Sequence, residues 1–138
     1  RSSKDFISVS EYKMIYFISG HRDLTIEEFK KHYIPKIDEV CAFDKNAKFV
    51  VGDYCGADTF AQDYLVNIGY GDNVTVYHMN NKPMYINKFI THTKPNYKDD
   101  IDRDSAMTHN SNFDIAFIRE GKVNSGTEQN IMRRIMFK

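Results

Sequence analysis

Met14-Ile-Tyr-Phe-Ile-Ser-Gly-His-Arg-Asp23 is the stretch that decides the fold. Met14 to Ile18 are apolar without a break, and the run stops at Ser19-Gly20. A strand with one wet face alternates apolar and polar residues, so an unbroken run is that of a strand covered on both faces. Thr25 and Glu28 follow in capping-box spacing, which predicts a helix start. Ile26, Phe29, Tyr33, Ile37, Val40 and Cys41 keep helical spacing, and Pro35 should kink or split that helix near Tyr33.

The same alternation recurs down the chain. Lys48 to Val51 reads as a second strand, and a helix follows with an apolar stripe of Ala57, Phe60, Ala61, Tyr64, Leu65 and Ile68 ending at Gly69. Asn73 to Tyr77 reads as a third strand. A helix around Ile101 to His109, a strand from Phe113 to Ile118 and a turn near Glu120-Gly121 come next. The closing helix starts at Ser125, with Glu128 in capping-box position and an expected core face of Ile131, Met132, Ile135 and Met136. Strands separated by helices make βαβ units with right-handed crossovers. The expectation is one α/β domain over residues 1–138, with a mainly parallel sheet of four or five strands and helices on both faces.

Two segments stand outside that rhythm. Residues 1–12 read as an N-terminal arm. Residues 80–98 have no clean period and hold Met84, Tyr85, Phe89 and Tyr97 among four lysines and two prolines, which predicts a lid or binding loop.

Composition narrows the function. Lysine plus arginine number 19 and so do aspartate plus glutamate, and tryptophan is missing. That balance argues against a general nucleic-acid or membrane-surface binder. No apolar run approaches the roughly 20 residues of a membrane span. Cys41 and Cys55 are too few for a disulfide scaffold, so free thiols in a reducing cytoplasm are expected. The five histidines show no metal-ligand spacing, and neither a metal nor a cofactor is expected.

The chemistry is expected at three loops, each between a strand and a helix. Backbone N–H groups at a helix start, with the positive end of its dipole, form a ready anion site. Gly20-His21-Arg22-Asp23 lies at the end of the first strand, where Arg22 either binds a phosphate or is a solvated turn residue. Gly52-Asp53-Tyr54-Cys55-Gly56-Ala57-Asp58 follows the second strand. Asp58 there either takes ribose hydroxyls, acts as a base, or caps the helix, and capping is its simpler role. Ser125-Gly126-Thr127 opens the last helix, with Arg103 a cationic partner for the same anion or a surface residue in an Asp-Arg-Asp cluster.

Together these motifs resemble the SLOG superfamily of small Rossmann-like domains, from Met14 to Arg134. Its small stand-alone bacterial and phage members carry a Gly-Ser-Arg-Asp first loop, a Gly-Ala-Arg-Gly-Ala-Asp second loop, an Arg-x-x-x-Met helix and a Gly-Thr loop. The counterparts here are Gly20 to Asp23, Gly52 to Asp58, Arg103-Asp-Ser-Ala-Met107 and Ser125 to Thr127. More distantly the chain is similar to the DNA-processing protein and to the LONELY GUY phosphoribohydrolases. The resemblance implies a three-layer Rossmann-like fold, a nucleotide or nucleotide-derived ligand, and a homodimer. It also implies a rival activity, cleavage or exchange of an N-glycosidic bond with Glu128 or Asp58 as the catalytic carboxylate. In the phosphoribohydrolases the glutamate lies a few residues past the threonine, whereas Glu128 follows Thr127 directly. Single-strand DNA binding is the disfavoured third reading.

Overall fold

The computed structural model describes residues 14–122 and 125–137, and the expected arm over residues 1–12 lies outside them. The opening apolar run forms strand β1 (Ile15–Ser19). It pairs in parallel on one side with β2 (Lys48–Val51) and on the other with β5 (Phe113–Ala116). β3 (Val74–Met79) lies beside β2, and β4 (His92–Tyr97) forms the far edge, giving the order β4-β3-β2-β1-β5 with every pair parallel. The fold is therefore the expected Rossmann-like α/β sheet.

Helix α1 (Ile26–His32) carries the full capping box, with Thr25 and Glu28 exchanging both bonds. It ends at Tyr33, and α2 (Ile34–Phe43) begins at once with Pro35 in its first turn. The missing proline N–H is harmless only there, which is why the split falls at that point. Helix α3 (Ala57–Asn67) and a short 3-10 turn lead to β3. Helices α4 (Asp100–His109) and α5 (Gly126–Phe137) flank β5 in the chain.

Pleat alternation divides the core. Ile18, Phe49, Val51, Val76 and Ile115 pack with Phe29, Ile37, Ala61 and Leu65 of α1 to α3. Phe17, Val50 and Tyr77 point the other way, onto Met107 of α4. Asp114 shares the face of its β1 partner Phe17, and its carboxylate takes a bidentate bond from Arg134 of α5 at 2.8 and 3.0 Å. This places α4 and α5 together on that second face.

Two expectations are overturned. The closing helix does not bury its expected core face: Ile131 is half-buried, and Met132, Ile135 and Met136 are 48%, 70% and 68% exposed. Its inward edge is polar, with Thr127 and Asn130 buried and Arg134 reaching into the sheet edge. The apolar stripe was visible in the sequence, but nothing in a one-dimensional pattern says which stripe is turned inward.

Residues 80–98 are not one long loop, since they contain a strand. Residues 80–91 are the β3–β4 crossover, pinned to α3 where Gln62 donates to the Tyr85 carbonyl and accepts from the Asn87 N–H. Ile90 joins the core there. Residues 92–97 are the polar edge strand β4, held by its pairing with β3 and by Tyr97 stacked on Tyr77 at 5.6 Å. An exposed strand with Pro95 has no apolar period to read, and proline is tolerated because the strand is an edge.

Candidate functional site

The chain runs outward from β1 through β2 and β3 to β4, then returns to the other side of β1 as β5. The ends of β1 and β5 therefore part at a topological switch point, where open α/β sheets hold ligands. A cavity of about 420 Å³ lies there, walled by the β1 loop, the β2 loop, α4 and the start of α5. Tyr33 holds its rear. Its buried hydroxyl donates to the Ser19 carbonyl at 2.9 Å and accepts from the Phe117 N–H at 3.0 Å, joining the two strand ends.

Of the expected ligand residues, Gly20, His21, Arg22, Asp58, Arg103, Ser125, Gly126 and Thr127 all line this cavity. Three distant loops are thus brought together. Gly52, Asp53, Gly56 and Glu128 do not line it.

The glycines serve close packing. A β-carbon on Gly20 would lie 2.3 Å from the Tyr33 hydroxyl and 2.5 Å from the β-carbon of Ala57. Gly56 has φ +75° and sits against the His21 and Arg22 carbonyls, a position that a side chain could not occupy. Asp53 is buried with both oxygens engaged, by Arg103 at 2.9 Å and by the Met84 N–H at 2.8 Å. Glu128 gives its N–H to the Ser125 side chain at 3.1 Å, so Ser125 caps α5 as its spacing predicts.

Arg103 differs most from its expected role as a cation waiting for phosphate. It is 5% exposed and bonded to Asp53 at 2.9 Å and Asp104 at 3.2 Å, with Asp100 at 3.7 Å. Burial opposes its charge, but Asp104, Asp58, Asp53 and Asp100 outweigh burial and strengthen its hold on the proton. The guanidinium organises a carboxylate cluster. The Asp-Arg-Asp run had been visible as charge, but the contribution of Asp53, fifty residues away, had no local signal.

Asp58 does not cap α3, because Gly56 occupies the cap position and no side chain bonds there. Its carboxylate turns back to accept the Tyr54 N–H at 3.1 Å, fixing the β2 loop. Burial pushes this carboxyl up to about 7, against the pull of Arg103 and the Tyr54 N–H, with Asp104 and Asp53 adding repulsion. Burial also raises Asp104, which Arg103, Asn130 and Arg133 pull back. Two acids thus share one desolvated wall.

His21 is not a cation here. Its Nε2 accepts the Arg119 N–H at 2.9 Å, and burial followed by Arg119 and Lys122 lowers its pKa. Arg22 pairs with Asp100 at 3.0 Å, so its charge is matched. Sequence reasoning left out three further lining residues, Asn130 and Arg133 of α5 and Lys122 from the turn before it. Ser19 was also missed. It lines the cavity at 6% exposure, and its Oγ has no hydrogen-bond partner among the described residues.

Among the described residues, no three His, Cys, Asp or Glu side chains are grouped to hold a metal ion, and no helix is long and apolar enough to cross a membrane. No family model, curated protein or solved structure matches the chain.

Proposed function

We propose that the chain binds a nucleotide or nucleotide-derived small molecule in the switch-point cavity. In this reading the phosphate lies at the first turn of α5, on Ser125, Gly126 and Thr127, with Lys122 and Arg133 also lining the cavity. The sugar hydroxyls face Asp58 and the Ser19 hydroxyl. The observation that carries the reading is one cavity lined by a helix start, by the cations Lys122 and Arg133, and by two acids, Asp58 and Asp104, whose pKa values burial raises. A phosphate favours the first and hydroxyl donors favour the second. The buried, unpartnered Ser19 Oγ supports it, since such groups are rare unless something meets them. Calorimetric titration with nucleoside 5′-monophosphates and with nucleosides tests it. Monophosphates should bind and Gly126→Val should abolish the binding without unfolding the chain. Failure of every monophosphate to bind at millimolar concentration overturns the reading.

One observation favours a second reading, cleavage of an N-glycosidic bond. Burial raises the Asp58 carboxyl to about 7, and an acid that keeps its proton that far up the pH scale can deliver it to a departing base while water attacks the anomeric carbon. Asp58 is then the acid, and Glu128, outside the cavity, has no part. Release of free base from a nucleoside monophosphate, lost in Asp58→Asn and kept in Glu128→Gln, would establish it.

The homodimer belongs with this proposal. The exposed stripe of Met132, Ile135 and Met136 on α5 suits a twofold contact, and light scattering at micromolar concentration reads the outcome.

A further inference from the structure

We propose that Arg22 and Tyr54 form a stacking platform for a planar heterocycle at the mouth of the cavity. The proposal rests on the nucleotide reading above, which gives places to a phosphate and a sugar but none to a base. The Arg22 guanidinium lies 3.7 Å from the centroid of the Tyr54 ring, the separation of two stacked planes. Its Nη2 is tied to Asp100 at 3.0 Å, although the side chain is 58% exposed. An arginine that open to water ordinarily samples many rotamers. This one is fixed in plane by a ring from the β2 loop and in rotation by a carboxylate at the start of α4.

Both residues line the cavity, and so does Ile101, which is 63% exposed at the start of α4. The mouth thus combines an aromatic ring, a flat guanidinium and an aliphatic side chain. The charge of Arg22 is already matched by Asp100, which leaves its plane as the feature it offers a ligand. A sugar phosphate has no use for such a surface. A purine or pyrimidine does, because every base has a π face that stacks on arginine and aromatic planes. Stacking reads shape rather than hydrogen-bonding edges, so this subsite should accept several bases with modest preference.

The test compares ribose 5-phosphate with the adenosine, guanosine, cytidine and uridine 5′-monophosphates by calorimetric titration. The proteins are wild type, Tyr54→Ala, Tyr54→Phe and Arg22→Lys. At least one nucleotide should bind more tightly than ribose 5-phosphate. Tyr54→Ala should weaken that nucleotide about five- to a hundredfold, the range of base–aromatic stacking, and leave ribose 5-phosphate unchanged. Tyr54→Phe should stay near wild type. Arg22→Lys keeps the charge and loses the plane, so it should weaken the nucleotide but not the sugar phosphate. Ribose 5-phosphate binding as tightly as every nucleotide overturns the platform while leaving the phosphate site standing. So does an equal loss for both ligand types in Tyr54→Ala and Arg22→Lys. If neither a nucleotide nor ribose 5-phosphate binds wild type, the reading of the cavity falls and the platform with it.

Discussion

Arg103 and Asp53 stand fifty residues apart in sequence and meet in the interior at 2.9 Å, with side chains 7% and 3% exposed. Asp53 also accepts the Met84 N–H, so the pair joins α4, the β2 loop and the β3–β4 crossover at one point. The arginine that marks the helix motif is thus the counter-charge of an acidic wall, and the cavity keeps its shape through it.

Removing that counter-charge should be expensive. Arg103→Ala strands Asp53 and leaves Asp58 and Asp104 to repel each other in a desolvated place. Breaking one side of a buried pair costs about 3–5 kcal/mol, a large share of a small domain's stability. Urea unfolding should show the unfolding free energy fall by that amount, with a correspondingly lower midpoint. A loss below about 0.5 kcal/mol, as for a surface arginine, would contradict the assignment.

Asp58 should make stability fall as pH rises through neutrality. Its folded pKa is raised from 3.8 to about 7, so between those values the folded chain holds a proton that the unfolded chain has released. Stability declines with pH wherever the native state binds more protons. Asp58→Asn removes this dependence while its amide oxygen can still accept the Tyr54 N–H. The variant should therefore gain on wild type between pH 5 and pH 8 in thermal melts. A difference in melting temperature that is flat across that range would refute the burial of this carboxyl.

Two glycines should behave oppositely. Gly20→Ala drives a methyl group into the Tyr33 hydroxyl and the Ala57 β-carbon, an overpacking that costs about 1–3 kcal/mol. At Gly126 a β-carbon meets nothing within 4 Å, so Gly126→Ala should leave stability unchanged or raise it slightly at a helix start. Melting curves of the two variants decide the matter. Equal losses would mean that the β1 loop and α5 are not packed as described.

The fold was largely legible because β1, β2 and β3 are short apolar runs between helices with ordinary start signals. Thr25-Glu28, Pro35 and Ser125 each act locally, and each sits where its local chemistry placed it. β4 was illegible because its residues pack against little, and pairing with β3 alone makes them a strand. The inward edge of α5 was misread because the sheet edge offers it a carboxylate, Asp114, rather than an apolar surface. The loops of the site were found as loops, through their place between strand and helix. The partners inside it were not, because Arg103 with Asp53 and Arg22 with Tyr54 are contacts between segments far apart in the chain.

The central claim is that the crevice between β1 and β5 receives a phosphorylated ligand on the first turn of α5. At 16.1 kDa the chain suits amide-resolved nuclear magnetic resonance. The most direct measurement is a titration of the labelled protein with adenosine 5′-monophosphate, followed through the N–H resonances. Shifts should concentrate at residues 125–130, 19–23 and 100–104, and should be lost from 125–130 in Gly126→Val. Saturating shifts confined to other surfaces, such as the β4 edge, or no shifts at millimolar nucleotide, would contradict the account.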